Sequence, residues 1–315
     1  MFPAAPHHSV RIMKQPKVMH FYLEPGLRES AEAGTHNFLG KVADVGRAAG
    51  MEIRFSGNSE VERARSDPQA EWAVMHMDPP PHDRAITVRR AYYYPFWSLE
   101  RTNQRWDFDV ARAEFSTVDI SAKEAQRFVE RWRRKWFTGW QAQTEGHVYV
   151  PLQGRLLQHR SFQTCSPLEM IEHVLRHDPM RPIIAALHPK EQYSDAEQQA
   201  LETLVGKHAR FSVVRGGIEG LLPGCDYVVT QNSAAGFAGY VWGKPLVLFG
   251  RIDFRHIAAE VSELGPAKAI SMAQNMRPDF DAYLYWFLQI MAVNAGRPDA
   301  ADKIATRLRS FGWPV

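Results

Sequence analysis

The chain has 315 residues, 45% of them hydrophobic, and a formal net charge of +3. That length suffices for about two ordinary domains with full cores, and the composition excludes a disordered or fibrous chain. The small charge gives no argument for a nucleic-acid partner. The two cysteines, Cys165 and Cys225, cannot build a disulfide framework or a cysteine metal site, and read as buried thiols in a reducing compartment.

Residues 1–16 lack the apolar run of a secretory signal and read as a loose tail. Val18–Leu23 is an apolar strand ending at Glu24-Pro25-Gly26, and a helix is expected over about Glu32–Ala49. Met51–Phe55 and Trp72–Met77 read as strands, the second ending at Asp78 and the proline run Pro79–Pro81; Ile86–Arg89 is a further one. Ala91–Asp109 is dense in Tyr, Phe, Trp and Arg. Ser121 and Glu124 form a capping-box pattern before a helix with Ala125, Phe128, Val129, Trp132 and Trp136 on one face. Its basic run, Arg131, Arg133, Arg134 and Lys135, reads as the solvated face. A linker is expected near Gly139–Gly146.

The second half alternates more cleanly. His147–Leu152 is a strand, and Ser166-Pro167-Leu168-Glu169 opens a helix with serine at N-cap and proline at N1. Pro182–Leu187 is a strand ending at His188-Pro189, and a second capping box spans Ser194–Glu197. Phe211–Val214, Asp226–Thr230 and Leu246–Phe249 complete the strands, with Gly216-Gly217 turning after the first of them. Short apolar strands alternating with helices imply a parallel sheet. Helices are expected over about Asp279–Ala295 and Ala300–Phe311. The apolar stretch Ala282–Val293 is about 12 residues long and contains Gln289, which suits a buried helix better than a membrane span. The expected location is the cytoplasm, with peripheral docking on the inner membrane face left open.

Parallel sheets bind ligands outside the carboxyl ends of their strands. His188 ends one strand there, and Asn232-Ser233 ends another where a helix begins, with Ala234 next and Gly217 at a neighbouring turn. Oriented amides, a hydroxyl and an imidazole suit a phosphate; an ordinary N-cap and a turn histidine are the bland alternatives. The aromatic segment offers Tyr92, Tyr93, Tyr94, Trp97 and Arg101 as an acceptor surface, because ring faces stack on sugars and guanidinium binds acids; a core-capping loop is the alternative. Glu24, Asp78 and Glu100 are candidate bases or nucleophiles toward a glycosyl centre. The 13 histidines show no metal-binding spacing, so no metal and no cofactor are expected.

Val148–Gly250 resembles the capsule polysaccharide biosynthesis proteins, a family that includes β-Kdo transferases. The matching pieces are Val150–Gln153 (VPLQ), the helix SPLEMIEHVL, the strand ending in His188-Pro189, Asn232-Ser233 followed by Gly236, and Gly243-Lys244-Pro245, with Asp253-Phe254 beyond. The resemblance implies an α/β, GT-B-like fold of two Rossmann-like domains facing a central cleft. The implied domains are 17–140 for the acceptor and 141–278 for the nucleotide sugar, with 279–315 packing back across. It implies a transferase moving Kdo or a related sugar acid from a CMP-activated donor to a glycan or glycolipid acceptor. His188 and Ser233 would lie on the donor phosphate with Asn232 and Gln153 beside them; no nucleic acid is involved. Capsule assembly proteins are the other partners it suggests. Many members follow the glutamine with an aspartate-containing turn, whereas this chain has Gly154-Arg155-Leu156-Leu157-Gln158. A UDP-sugar transferase or epimerase of the same fold, and a non-catalytic component of a capsule assembly or export complex, are the alternatives.

Overall fold

A computed structural model describes residues 17–115, 119–143 and 145–315; the expected N-terminal tail lies outside the described residues. The chain divides into two compact units, one of residues up to Arg89 together with Ala295–Val315, the other Arg90–Asn294.

The first unit is built on β1 (Val18–Leu23), β2 (Glu52–Gly57), β3 (Glu71–His76) and β4 (Ala85–Arg90). They lie in the order β4-β3-β1-β2 and pair in parallel. Met19, Phe21 and Leu23 are buried on one face and Val18 and Tyr22 on the other, as a strand covered on both faces requires. From β1 the chain adds β2 on one side and returns to add β3 on the other. The strand order therefore reverses between β1 and β3.

The single helix expected over Glu32–Ala49 is two helices, Pro25–Glu32 and Asn37–Ala48. Proline at N1 starts the first directly after Glu24 rather than prolonging the turn. Gly34, at φ +68°, ends that run, and the His36 ring then caps the second helix by accepting the Leu39 N–H at 3.1 Å. The C-terminal helix Ala300–Ser310 packs on Asn37–Ala48 and buries Ile304 and Leu308 in this unit.

The second unit contains β5 (Phe96–Glu100), β6 (His147–Leu152), β7 (Ile183–Leu187), β8 (Phe211–Arg215), β9 (Cys225–Thr230), β10 (Leu246–Leu248), β11 (Ala259–Glu260) and β12 (Val293–Asn294). Six of these form a parallel sheet in the order β11-β10-β9-β6-β7-β8. β12 pairs antiparallel with β5. The fold is thus α/β with parallel sheets, as expected. Along β6, Val148, Val150 and Leu152 enter one core and Tyr149 the other, following the two-residue period of a strand.

The capping boxes at Ser166 and Ser194 both close, each serine accepting from N3 and each N3 glutamate reaching back. At Ser121 the serine half forms, accepting the Glu124 N–H at 3.5 Å at the start of helix Ala122–Trp136. The helix expected over Asp279–Ala295 is α-helical only over Phe280–Tyr285 and continues as a π-helical turn, Trp286–Met291, into β12. Trp286, Phe287 and Leu288 are all buried there in succession, an arc wider than one face of a regular amphipathic helix. Among the described residues no helix is long and apolar enough to cross a membrane.

Candidate active site

In the second unit the chain runs from β6 to β7 and β8 on one side, then crosses to β9 on the other. The strand order reverses between β6 and β9, where open α/β sheets leave a crevice at their carboxyl ends. A small pocket, with room for about one water, lies there between Leu152-Gln153 at the end of β6 and Thr230-Gln231 at the end of β9. Arg160, Pro167 and Met170 line it too.

The expected phosphate-binding residues fall along this same edge. Leu152 pairs with Leu187, so Gln153 and His188 leave adjacent strands side by side. His188 is exposed. Its Nδ1 accepts the Lys190 N–H at 3.2 Å, which leaves Nε2 as the protonated nitrogen of the neutral ring and a donor to a ligand. Its own N–H donates to the Tyr193 hydroxyl at 2.9 Å, fixing the turn. Ser233 is the N-cap of helix Ala234–Val241; its Oγ accepts the Ala235 N–H at 3.3 Å, and its hydroxyl proton is free to be donated outward. Asn232 is half-buried and Ala234 exposed. Of the expected donor residues only Gln153 lines the pocket itself. Gly217, at φ +78°, caps the helix Ile218–Gly224, a left-handed position that asks for glycine whether or not a ligand binds.

The loop after Gln153 is firmly held. Leu156 is fully buried, and its N–H donates to the Glu197 carboxylate, which also accepts the Ser194 N–H at 2.8 Å. Hydrogen bonds from Ser194, Leu156 and Arg155 outweigh the effect of burial and hold the Glu197 carboxyl below its usual range. Gly250 stands close behind: a Cβ there would come within 2.8 Å of the Gln231 carbonyl oxygen.

The aromatic segment is mostly core. Trp97 is 1% exposed, Tyr93 stacks on Trp136 at 4.2 Å, and Tyr92 stacks on Phe237 at 4.3 Å. The Tyr92 hydroxyl donates to Asp253, which also takes Arg105 Nη1 at 3.1 Å, while the Arg105 guanidinium lies 4.1 Å over the Tyr92 ring. Of the five residues expected to bind an acceptor, Trp97 is buried, Tyr92 and Tyr93 are half-buried against the core, and Tyr94 and Arg101 are exposed.

The three candidate carboxylates have different settings. Glu100 is 5% exposed and accepts the Asp109 N–H at 3.1 Å, the position of a structural acid. Asp78 pairs with Arg63 at 3.1 Å and accepts from Asn58 at 3.2 Å. Glu24 follows β1 with its side chain 45% exposed and meets His76 Nδ1, at the end of β3, at 2.7 Å. These two strands flank the reversal point of the first sheet. His76 was not among the residues expected from sequence; it follows the buried run of β3 without any motif. Arg160 and Gln231, which line the pocket, were not among the expected residues either, although Gln231 directly precedes Asn232-Ser233.

No family model matches the sequence, and no curated protein matches it. In fold the chain is similar to the Thermosulfurimonas dismutans KpsC β-Kdo 2,7-transferase, at 13% identity and a TM-score of 0.52, over 94% of this chain and 100% of that one. The β-Kdo 2,4-transferase of the same KpsC is similar at 12% identity and a TM-score of 0.47, over 84% and 89%.

Proposed function

We propose that the chain is a glycosyltransferase that moves an activated sugar, Kdo or a related sugar acid, from a CMP-linked donor to a surface-glycan acceptor. The observation that carries this reading is the convergence of His188, Gln153 and Ser233 on the carboxyl ends of three adjacent parallel strands, β7, β6 and β9. The fold likeness to a Kdo transferase along the whole length of that chain supports it.

Breaking the bond between sugar and phosphate leaves negative charge on the departing nucleotide. The Nε2–H of His188, the hydroxyl of Ser233 and the amino end of helix Ala234–Val241 are donors aimed at such charge, which they stabilise more in the transition state than in the ground state. Glu24, half-exposed and steadied by His76, is the carboxylate whose own surroundings suit a base for the acceptor hydroxyl.

His188→Ala is expected to abolish transfer from CMP-Kdo, a loss of about 100-fold or more in kcat, with an unchanged melting temperature because the side chain is exposed. The check is a coupled release assay for CMP beside a thermal melt. Wild-type turnover in that variant would sink the assignment.

A further inference from the structure

Helix Ala122–Trp136 carries a stripe of positive charge that the candidate site does not use. Lys123, Arg127, Arg131 and Arg134 recur at i, i+4, i+8 and i+11, which puts them on one face, and Lys135 stands one turn beyond Arg131. All of these bases are exposed, whereas Ala125, Val129 and Trp132 on the opposite face are buried. From Lys123 to Arg134 the stripe runs about 16 Å at the rise of an α-helix. Arg133 does not belong to it, because its Nε donates inward to the Val241 carbonyl at 2.6 Å. The acids of the helix do not neutralise the stripe. Glu130 accepts from Gln126 at 2.9 Å, and Glu124 stands in the first turn. Among the described residues no carboxylate comes within ion-pair distance of the stripe. The arrangement works against the helix. Lys123 and Arg127, Arg127 and Arg131, and Arg131 and Lys135 are like charges four residues apart, and Lys123 lies in the first turn, against the helix dipole. A face kept only for solvation has no need of such repulsion, and negative charge brought from outside offsets it. Aromatic rings border the carboxyl end of the stripe. Tyr94 is 46% exposed, Trp136 Nε1 donates to its carbonyl at 3.3 Å, and Trp136 and Trp140 are both half-buried. Tyrosine and tryptophan beside lysine and arginine are the residues that settle at the headgroup level of a bilayer.

We propose that this face of helix Ala122–Trp136 docks the protein on the surface of an anionic lipid bilayer, with the stripe from Lys123 to Lys135 on the headgroups and Tyr94, Trp136 and Trp140 at its edge. Charge and shape select the occupant. A straight row of exposed bases on the outer side of a helix meets a plane of negative charge along its whole length, and each base gains from it. The apolar side of the helix stays in the core of the second unit, where Val129 and Trp132 are packed. The contact is therefore peripheral, electrostatic and reversible, without insertion of the helix. The inference does not rest on the transferase reading, because docking needs neither donor nor acceptor and is measured without them.

The test is sedimentation of the full chain with vesicles of phosphatidylcholine, and with vesicles of phosphatidylcholine and phosphatidylglycerol in equal parts. Binding to the anionic vesicles is expected to be about tenfold or more tighter in about 0.1 M salt, and to be lost in about 0.5 M salt, where charges are screened within a few Å. Each Lys or Arg held at such a surface contributes about fivefold in affinity, so the triple variant Arg127→Gln, Arg131→Gln, Arg134→Gln is expected to bind about 100-fold more weakly. That variant keeps or raises the melting temperature, because it removes like-charge pairs from the helix. A control removes the same charge elsewhere, with Arg176→Gln, Lys207→Gln and Lys268→Gln at exposed positions of three helices that pack on the other core of the second unit. It is expected to bind as wild type does. Equal binding to both kinds of vesicle, binding to neither, a triple variant of unchanged affinity, or a control weakened as much as the triple variant each overturns the proposal. So does retention on polyglutamate with no binding to anionic vesicles, which marks an acidic protein as the partner.

Discussion

At the scale of single residues, the second unit places several ionisable groups where only one protonation state fits. His256 is the clearest. Its Nε2 donates to the Ala113 carbonyl at 3.1 Å and its Nδ1 accepts from the Tyr283 hydroxyl at 3.0 Å, so the ring is committed as a neutral tautomer. Burial, and then the adjacent Arg255, push its pKa down to about 4. An unfolded histidine takes its proton near pH 6.5. Between those values the unfolded chain binds a proton that the folded chain refuses. The stability present above pH 6.5 is therefore lost as pH falls toward 4. His256→Gln is expected to be less stable than wild type at pH 7, yet to lose less stability between pH 6.5 and 4. Urea midpoints across that range read the difference; parallel curves for the two proteins would refute it. Asp253 is enclosed by Tyr92 and Arg105, both of which donate to it. Its neighbourhood was visible in sequence only as part of a family pattern. That its partners come from 148 and 161 residues away in the chain is information that no local pattern carries.

At the scale of elements, what the sequence made legible follows the strength of local signals. Capping boxes at Ser166 and Ser194 and the apolar runs of β6, β7 and β9 were readable because each is decided within a few residues. The break at Gly34 and the π-helical turn after Tyr285 were not, because the first depends on a histidine ring acting as a cap and the second on how much aromatic surface the unit must bury. The aromatic segment shows the same limit. Composition cannot tell a stacking platform from a core: Trp97 is buried, and Tyr93, half-buried, packs against the core. The loop 154–158 looked like a departure from a pattern and is an anchored element instead. Glu197 joins its capping box to that loop through the Leu156 N–H, so one carboxylate holds both the start of helix Asp195–Lys207 and the chain leaving β6. Glu197→Ala is expected to cost about 1–3 kcal/mol, since it leaves the buried Leu156 N–H unpaired. It should also weaken ligand binding at the β6 end, because Gln153 then leaves the strand on an unsupported loop. Chemical denaturation and CMP titration of the same variant measure the two effects. A stable variant with intact loop protection in hydrogen exchange would remove Glu197 from this role.

At the scale of the whole molecule, the order of elements in the chain is not their order in space. The C-terminal helix Ala300–Ser310 follows the second unit in sequence but belongs to the first, where it lies on helix Asn37–Ala48 and shares its core. Ala300, Ile304 and Leu308, four residues apart, form its buried face. Which face it would cover was beyond sequence reasoning, because the covering partner, with Phe38, Leu39 and Val42 buried, lies more than 250 residues earlier. The first unit therefore depends on residues that a domain cut by sequence position would discard. Removing residues 297–315 deletes the buried Ile304, Leu308 and Trp313, the last of which packs on Trp72 with ring centroids 5.2 Å apart. Each fully buried apolar side chain of this kind stabilises by roughly 1.5–3 kcal/mol. Their combined loss is comparable to the whole stability of an ordinary domain. The truncated chain is expected to lose slow hydrogen exchange throughout residues 18–88, while the strands β6, β7 and β9 keep theirs, because their cores lie inside the second unit. Peptide-resolved exchange on the two chains separates the outcomes: uniform loss across both units would mean that they fold as one cooperative block, and retained protection in 18–88 would mean that the helix is ornament to the first core.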